Sequence, residues 1–346
     1  MTQKKILITG GTGYIGSHTV VELINRGFEV YILDNLSNSR EEVVESIERI
    51  TSVKPVFHKI DICNYDLLEN FFQSTHIDAI VHFAALKAVG DSVIMPLAYY
   101  RNNIVSLLNL LDMCMKYDIN NFVFSSSCTV YGQPDKLPVS ESAPLKPAES
   151  PYGSTKKISE DILRDTSKIS TLKSIALRYF NPVGAHPSAL IGEYPLGKPN
   201  NLMPVITQTA IGKNDMLEVF GDDYNTPDGS CIRDYLHVSD LAQAHVVAVE
   251  RLLNNKNKDK FEVFNLGTGA GVSVFEMVNA FIDLTGVKLK YKISGRRKGD
   301  VEKVYADTTK ANTELNWKAK RTLNDMVETA WKWELALDKK AEFKKA

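Results

Sequence analysis

The stretch ILITGGTGYIGSHTVVELINRG, residues 6–27, constrains this chain more than any other. An apolar run enters a turn in which Gly10, Gly13 and Gly16 recur at every third residue, and an amphipathic run then closes at Gly27. Glycine permits a tight strand-to-helix turn and lets backbone approach a ligand closely. The unpaired N–H groups of the helix start then receive a pyrophosphate. The spacing differs by one residue from G-x-G-x-x-G, and taken alone it is equally a tight turn. A second apolar run, EVYILD, ends in Asp34, about 20 residues beyond the turn, where an acid accepts from a ribose 2′-OH and repels a 2′-phosphate. The pair points to a dinucleotide site that takes NAD rather than NADP.

The same texture continues. KKILIT (4–9), EVYILD (29–34), PVFHKID (55–61), AIVHFAA (79–85), NFVFSSS (121–127) and SIALRYFN (174–181) read as strands buried on both faces, with helical segments between them. That alternation predicts an α/β fold, a doubly wound parallel (Rossmann) sheet. After Asn181 the chain turns rich in Pro, Gly and Asn and reads as ordered loop. HVSDLAQAHVVAVERLL returns to helix, with Ser239 as the expected N-cap, and EVFNLGTG (262–269) reads as one more sheet strand. The expected organisation is a Rossmann domain over 1–181 with a return segment over 236–267. A smaller C-terminal α/β lobe is expected over 182–235 and 268–346. The tail DKKAEFKKA reads as a solvated, fraying end.

Composition excludes several classes. Forty-one basic against 42 acidic residues give a net charge of −1, so no global basic field collects nucleic acid or an anionic membrane. No apolar run is long enough to span a bilayer. Cys63, Cys114, Cys128 and Cys231 form no CxxC, and no metal-ligand spacing accompanies the seven histidines, so no metal is expected. Scattered thiols and a start that enters a strand almost at once point to a reducing cytoplasm.

Three further features fall at strand ends, where doubly wound sheets bind ligands. Asp61-Ile62 is suited to flank an adenine, and FAALK (83–87) to line the middle of a dinucleotide; each is equally an ordinary strand terminus. Ser125–Ser127 close a strand, and serine there is more often a turn former than a catalytic group. ESPYGSTKK sets Tyr152 four residues before Lys156, one helical turn, so both share a face. On its own that is also an ordinary charged helix.

Together, TGGTGYIG, Asp34, SSS at 125–127 and YGSTK at 152–156 resemble the extended short-chain dehydrogenase/reductase family. RYFNPVGAHPSALIGE, PNNLMP, VFGDDYNTPDGSCIRDYLHVSDLA and RRKGDVEKVYAD are similar to its branch that inverts UDP-hexoses at C4, over nearly the whole chain. The resemblance implies that Tyr152 is the acid/base, tuned by Lys156, and that Ser127 hydrogen-bonds the sugar hydroxyl. It implies an NAD site of Gly10, Gly13, Tyr14, Ile15, Gly16, Asp34, Asn35, Asp61, Ile62, Phe83, Ala84, Ala85, Lys87, Asn102 and Tyr179, with Tyr152 and Lys156. Asn181, Asn201, Leu202, Phe220, Arg233, Arg297 and Asp300 are implied to grip the UDP end, with Ser127 and Tyr152 at the sugar. Val304 is implied to lie against the sugar's 2-substituent, where a small side chain leaves room for an acetamido group. Many relatives resemble homodimers, and the apolar segment 92–117 with the Tyr152 helix is the expected interface. A buried helix of one large domain explains that segment as well.

Two rival readings fit less well. A nucleotide-sugar 4,6-dehydratase needs an acidic pair before VYG, where this chain has Cys128 and Thr129. A non-catalytic dinucleotide sensor has no need of Ser127, Tyr152 and Lys156 together.

Overall fold

The computed structural model describes residues 3–197, 199–297 and 300–343. Lys298 and Gly299 of the RRKGD stretch and the last three residues of the tail lie outside the described residues. The first part of the chain alternates β1 (Lys5–Thr9), α1 (Tyr14–Asn25), β2 (Glu29–Asp34), α2 (Glu42–Thr51), β3 (Val56–Lys59), α3 (Tyr65–Ser74) and β4 (Ala79–His82). The segment after β4 is broken into α4 (Val89–Ile94), α5 (Pro96–Tyr100), a π-turn over Arg101–Val105 and α6 (Ser106–Lys116). Pro96 begins α5, where its missing N–H costs nothing. Then come β5 (Asn121–Ser125), α7 (Pro151–Ile169) and β6 (Lys173–Tyr179).

Beyond β6 the elements are shorter: β7 (Asn181–Val183), α8 (Leu202–Ala210), β8 (Leu217–Phe220), β9 (Ile232–Arg233) and β10 (Tyr235–His237). They continue with α9 (Val238–Leu253), β11 (Phe261–Leu266), β12 (Val272–Ser273), α10 (Val274–Thr285), β13 (Tyr291–Ser294), β14 (Lys303–Val304) and α11 (Leu323–Phe343).

Seven strands form one parallel sheet in the order β11-β6-β5-β4-β1-β2-β3. Ile6 and Ile8 of β1 pack with α1 and α9, and Leu7 between them packs on the opposite side with α3 and α6. Both faces are therefore covered, which is why the strands read as continuous apolar runs. Strand order reverses about β1, with β2 on one side and β4 on the other, and ligands of such sheets bind at that crevice. β11 pairs with β6 after a long excursion through the smaller elements. Those elements share an apolar core of their own, with Met203, Val219, Met277, Phe281 and Val327.

Two local expectations are corrected. β3 is not buried on both faces: it is the sheet's edge, and none of its four residues is buried. The N-cap of α9 is His237, not Ser239; the His237 Nδ1 accepts from the Ser239 N–H at 3.1 Å. A residue with extended backbone just before the helix carries the cap, and His237 holds φ −62°, ψ 132° while Ser239 is already inside the helix. α11 runs to Phe343, and the rest of the tail lies outside the described residues.

Candidate active site

The glycine turn separates packing from ligand approach. Gly10 has φ +73°, a left-handed conformation that favours glycine. A Cβ on Gly16 would fall 2.2 Å from the Gly10 carbonyl oxygen, so helix and turn meet there with no room for a side chain. Gly13 is different: a Cβ there would meet only the Gly10 oxygen, at 3.2 Å. Protein packing alone does not demand a bare backbone at Gly13, whereas the approach of a pyrophosphate does. Gly13 is the N-cap of α1 and has no side chain to occupy the first N–H groups, those of Tyr14, Ile15 and Gly16, and the first turn holds no acid. That leaves donors and a positive dipole end for an anion.

Asp34 ends β2 beside this turn and is buried. Its carboxylate accepts from the N–H of Thr12 (3.2 Å) and Leu36 (2.9 Å) and from Ser39 Oγ (3.1 Å). The acid is thereby fixed against the glycine turn, and Asn35 beside it caps Ser37. Asp61 is exposed and accepts from the Cys63 N–H, while Ile62 is buried. Phe83 and Ala84 both donate backbone N–H groups to Thr9, so the loop after β4 runs alongside the end of β1. Asn102 lies in the π-turn and donates to Asn103 Oδ1 at 3.0 Å. The residues present fit a dinucleotide laid across the sheet: anion donors at α1, an acid at β2 and a partly buried apolar floor at residues 83–85.

Ser127, Tyr152 and Lys156 come together at the end of β5. All three are buried, at 6%, 7% and 4% exposure. Ser150 caps α7 by accepting from the Gly153 N–H, with Pro151 at the first helical position, which starts the helix just ahead of Tyr152. Lys156 Nζ donates to the Ser125 carbonyl at 2.8 Å and lies 5.8 Å from the Tyr152 ring centroid. Burial lowers the Lys156 pKa to about 7, and the Glu160 carboxylate one turn on opposes that. The expected lowering of the Tyr152 pKa is opposed by burial. Burial pushes the Tyr152 phenol well above its ordinary value, nearby Tyr179 adds to this, and the hydrogen bond with Ser127 pulls the other way. Tyr179 shares a 2.9 Å bond with Ser125 Oγ.

The smaller elements carry a group of charges, of which Arg233 acts on Cys128, the residue after Ser127. Arg297 forks onto Asp300 (Nε 3.2 Å, Nη2 2.8 Å), and Arg233 approaches the same carboxylate at 3.8 Å. The Arg297 guanidinium lies 5.3 Å from the Phe220 ring centroid. Val304 pairs with Arg233 across β14 and β9 and packs with Val130, Val139 and Phe180. Asn181 opens β7, and Leu202 follows Asn201 at the start of α8.

Several residues at the site escaped sequence reasoning. Glu193 lies between Lys87 (3.5 Å) and Asn201 Nδ2 (2.6 Å) and joins a cofactor-side loop to the start of α8. Arg40 stacks at 3.5 Å on the Tyr194 ring, and the Tyr14 hydroxyl donates to the Gly184 carbonyl at 2.6 Å. Residues 184–194 therefore form a strap tied to the loops after β1, β2 and β4. Buried Asn103 bonds Leu86 N and O and Thr155 Oγ1, which fixes the β4 loop to α7. No spacing marks any of them: each works through a partner remote in sequence. The places of a dehydratase's acidic pair hold Cys128, whose thiol burial pushes up to about 12, and Thr129, whose hydroxyl donates to Ser127. Neither supplies a carboxylate.

Comparison with known proteins agrees with this geometry. Residues 7–330 match the family described as GDP-mannose 4,6 dehydratase. The UDP-glucose 4-epimerase of Dictyostelium discoideum is 50% identical over 331 residues, 95% of this chain and 95% of that protein. The UDP-glucose 4-epimerase of Stenotrophomonas maltophila, solved with NAD and formylated UDP-arabinopyranose, superposes with a TM-score of 0.94 at 46% identity, over 98% of this chain and all of that one. That of Bifidobacterium longum, in complex with NAD+ and UDP, gives 0.92 at 43% identity, over 96% of this chain and 98% of that one.

Proposed function

The chain belongs to the family described as GDP-mannose 4,6 dehydratase and, within it, to the UDP-glucose 4-epimerases of the extended short-chain dehydrogenase/reductases, and we propose that it reversibly inverts C4 of UDP-glucose and UDP-galactose with NAD as a resident cofactor. The observation that carries this reading is the buried Ser127–Tyr152–Lys156 cluster at the end of β5. The chemistry NAD supplies when bound is reversible acceptance of hydride from C4′, together with a positive ring that favours a nearby phenolate.

Tyr152 takes the proton of the 4′-OH and returns it after the sugar has turned over. Ser127 hydrogen-bonds both the phenol and the sugar hydroxyl, and its pull on the Tyr152 pKa acts in the direction a base needs. Lys156, held on the Ser125 carbonyl, presents its ammonium to the same pocket and to the nicotinamide ribose. Arg233 and Arg297 pass from Asp300 to the diphosphate, where a planar fork makes paired charge-assisted bonds. Charge thus grips only the nucleotide end, so the sugar is free to present either face to Tyr152.

Four finer readings accompany this one. Residues 1–181 with 236–267 bind NAD, and 182–235 with 268–346 bind the UDP-sugar. Val304 leaves room for an acetamido group, so UDP-N-acetylglucosamine and UDP-N-acetylgalactosamine are also interconverted. The chain is a homodimer, supported by exposed Val93 (63%), Ile94 (80%) and Leu97 (71%) beside Ile158 of α7. It works in a reducing cytoplasm, supported by four cysteines that form no disulfide. Among the described residues no helix is long and apolar enough to cross a membrane.

The test is incubation of the purified protein with UDP-galactose, without added reductant, followed by NMR. UDP-glucose is the expected product, and its absence from folded, NAD-containing protein sinks the assignment. Tyr152→Phe is expected to keep NAD and lose turnover by at least about 100-fold.

A further inference from the structure

The three serines at the end of β5 do different things. Ser125 offers its carbonyl to Lys156 at 2.8 Å, and Ser127 is the neighbour whose hydroxyl favours the Tyr152 phenolate. Ser126, fully buried, points elsewhere: its hydroxyl donates to Glu160 Oε1 at 2.6 Å. Glu160 is also fully buried and lies one helical turn beyond Lys156 on α7. Its two oxygens receive the Arg178 fork, at 2.9 Å from Nε and 2.5 Å from Nη2. Arg178 in turn donates to the Tyr131 hydroxyl at 2.8 Å, which donates to Asn265 at 2.7 Å.

A buried ion pair of this kind is weak evidence for stability, since removing both charges from water offsets much of their attraction. What it does supply is geometry. The pair is forked and its carboxylate takes a third bond, so Glu160 has little freedom of position. The only side chain in that set that belongs to the end of β5 is Ser126, and its two neighbours are the residues that meet Lys156 and Tyr152.

We propose that Ser126 and Glu160 are positioning residues of the epimerisation, whose hydrogen bond ties the end of β5 to α7 and so holds Ser127 and the Ser125 carbonyl in register with Tyr152 and Lys156. Neither touches substrate or cofactor. The assignment rests on the roles given above to Ser127, Tyr152 and Lys156. Its logic is that proton transfer needs donor and acceptor aligned to a fraction of an ångström, and a displacement of about 1 Å costs up to about 100-fold in rate.

The test uses the full-length, NAD-loaded enzyme. Ser126→Ala is expected to lower kcat for UDP-galactose about 10- to 100-fold, with KM within about twofold because the UDP grip is remote. Tyr131→Phe is the control, since it removes a hydroxyl from the far end of the same buried network and leaves the Ser126–Glu160 bond intact. It is expected to lower Tm at least as much as Ser126→Ala while holding kcat within about twofold. Wild-type kcat in Ser126→Ala overturns the proposal, as do losses of kcat that simply follow Tm in both variants. If Ser126→Ala does not fold, Glu160→Gln takes its place, with the same split between kcat and KM expected. Tyr152→Phe run alongside keeps the two questions apart: activity retained there refutes the acid/base assignment itself, whatever Ser126 does.

Discussion

A methyl group on Gly16 tests whether the glycine turn is built for packing, for ligand approach, or for both. In Gly16→Ala the new Cβ would sit 2.2 Å from the Gly10 carbonyl oxygen and 3.0 Å from the Gly11 Cα, where ordinary contact begins at 3.4 Å. The obstruction is backbone, so relief means moving the turn by about 1 Å rather than rotating a side chain. The moved atoms are held by Gly10 N to Leu33 O (2.8 Å) and Gly13 N to Gly10 O (3.1 Å). Overpacking costs about 1–3 kcal/mol and each strained bond about 1 more, or roughly 3–5 kcal/mol in all. For a chain of 346 residues that is a fall in Tm of roughly 4–7 °C. Gly13→Ala is the contrast: its one close neighbour, at 3.2 Å, needs to yield only a few tenths of an ångström. Its fold should survive, and its loss should be of cofactor. Both variants are assayed for bound NAD by absorbance after denaturation and for Tm by calorimetry with and without excess NAD. Gly13→Ala should lose NAD on dilution and regain its Tm at high NAD, as linkage requires. Gly16→Ala should lose both and regain neither. Gly16→Ala with full NAD and an unchanged Tm refutes the packing argument; Gly13→Ala with undiminished NAD affinity refutes the assignment of that edge of the turn to the pyrophosphate.

Three further outcomes follow from the same geometry. Val304→Tyr should suppress turnover of the N-acetylated UDP-sugars and largely spare UDP-galactose, because a ring in place of a side chain already packed on Val130 and Phe180 overfills the pocket; no N-acetyl turnover in the wild type, or equal loss of both reactions, removes Val304 as the gate. Arg40→Ala removes the stacking on Tyr194 at the cofactor end of the strap, and should speed release of NAD, read by the absorbance of free cofactor separated at intervals after dilution, while kcat at saturating NAD stays within about twofold; an unchanged release rate argues against the strap. Burial lowers the imidazoles of His18 and His82 to about 3 and those of His237 and His245 to about 4, from 6.5, so each binds a proton only on unfolding between those limits. Stability from these groups is therefore full above about pH 6.5 and drains as pH falls, by about 1.4 kcal/mol per pH unit for each, offset in part by the raised carboxyls of Glu141 and Asp234; urea midpoints that do not fall between pH 6.5 and 4.5 would contradict this.

What was legible in the sequence is what backbone chemistry demands at a fixed spacing. The glycine turn, the acid that follows it at the end of β2 and the turn-spaced Tyr152 and Lys156 each fall at a spacing that can be read along the chain, and the parallel strands announce themselves because both faces are covered. The misread elements depend on partners far along the chain. PVFHKID has an apolar start, but its strand pairs on one side only, and nothing local marks the sheet's edge. Ser239 has the residue type of an N-cap, yet the helix begins at Val238 and His237 takes the role. The serine triplet lies between these cases. The period of two along a strand is enough to set Ser126 on the opposite face from its neighbours. It does not say that Ser126 meets Glu160, since that depends on how α7 lies against β5 and β6. Glu160 in turn sits on the same helical face as Tyr152 and Lys156, and in the sequence it reads as one more charge on a solvated helix. Full burial of that acid with Arg178 turns it into a fixed point of the site. The chemistry-bearing atoms are thus visible in the sequence, while the atoms that hold them in place emerge only when α7 packs onto the sheet.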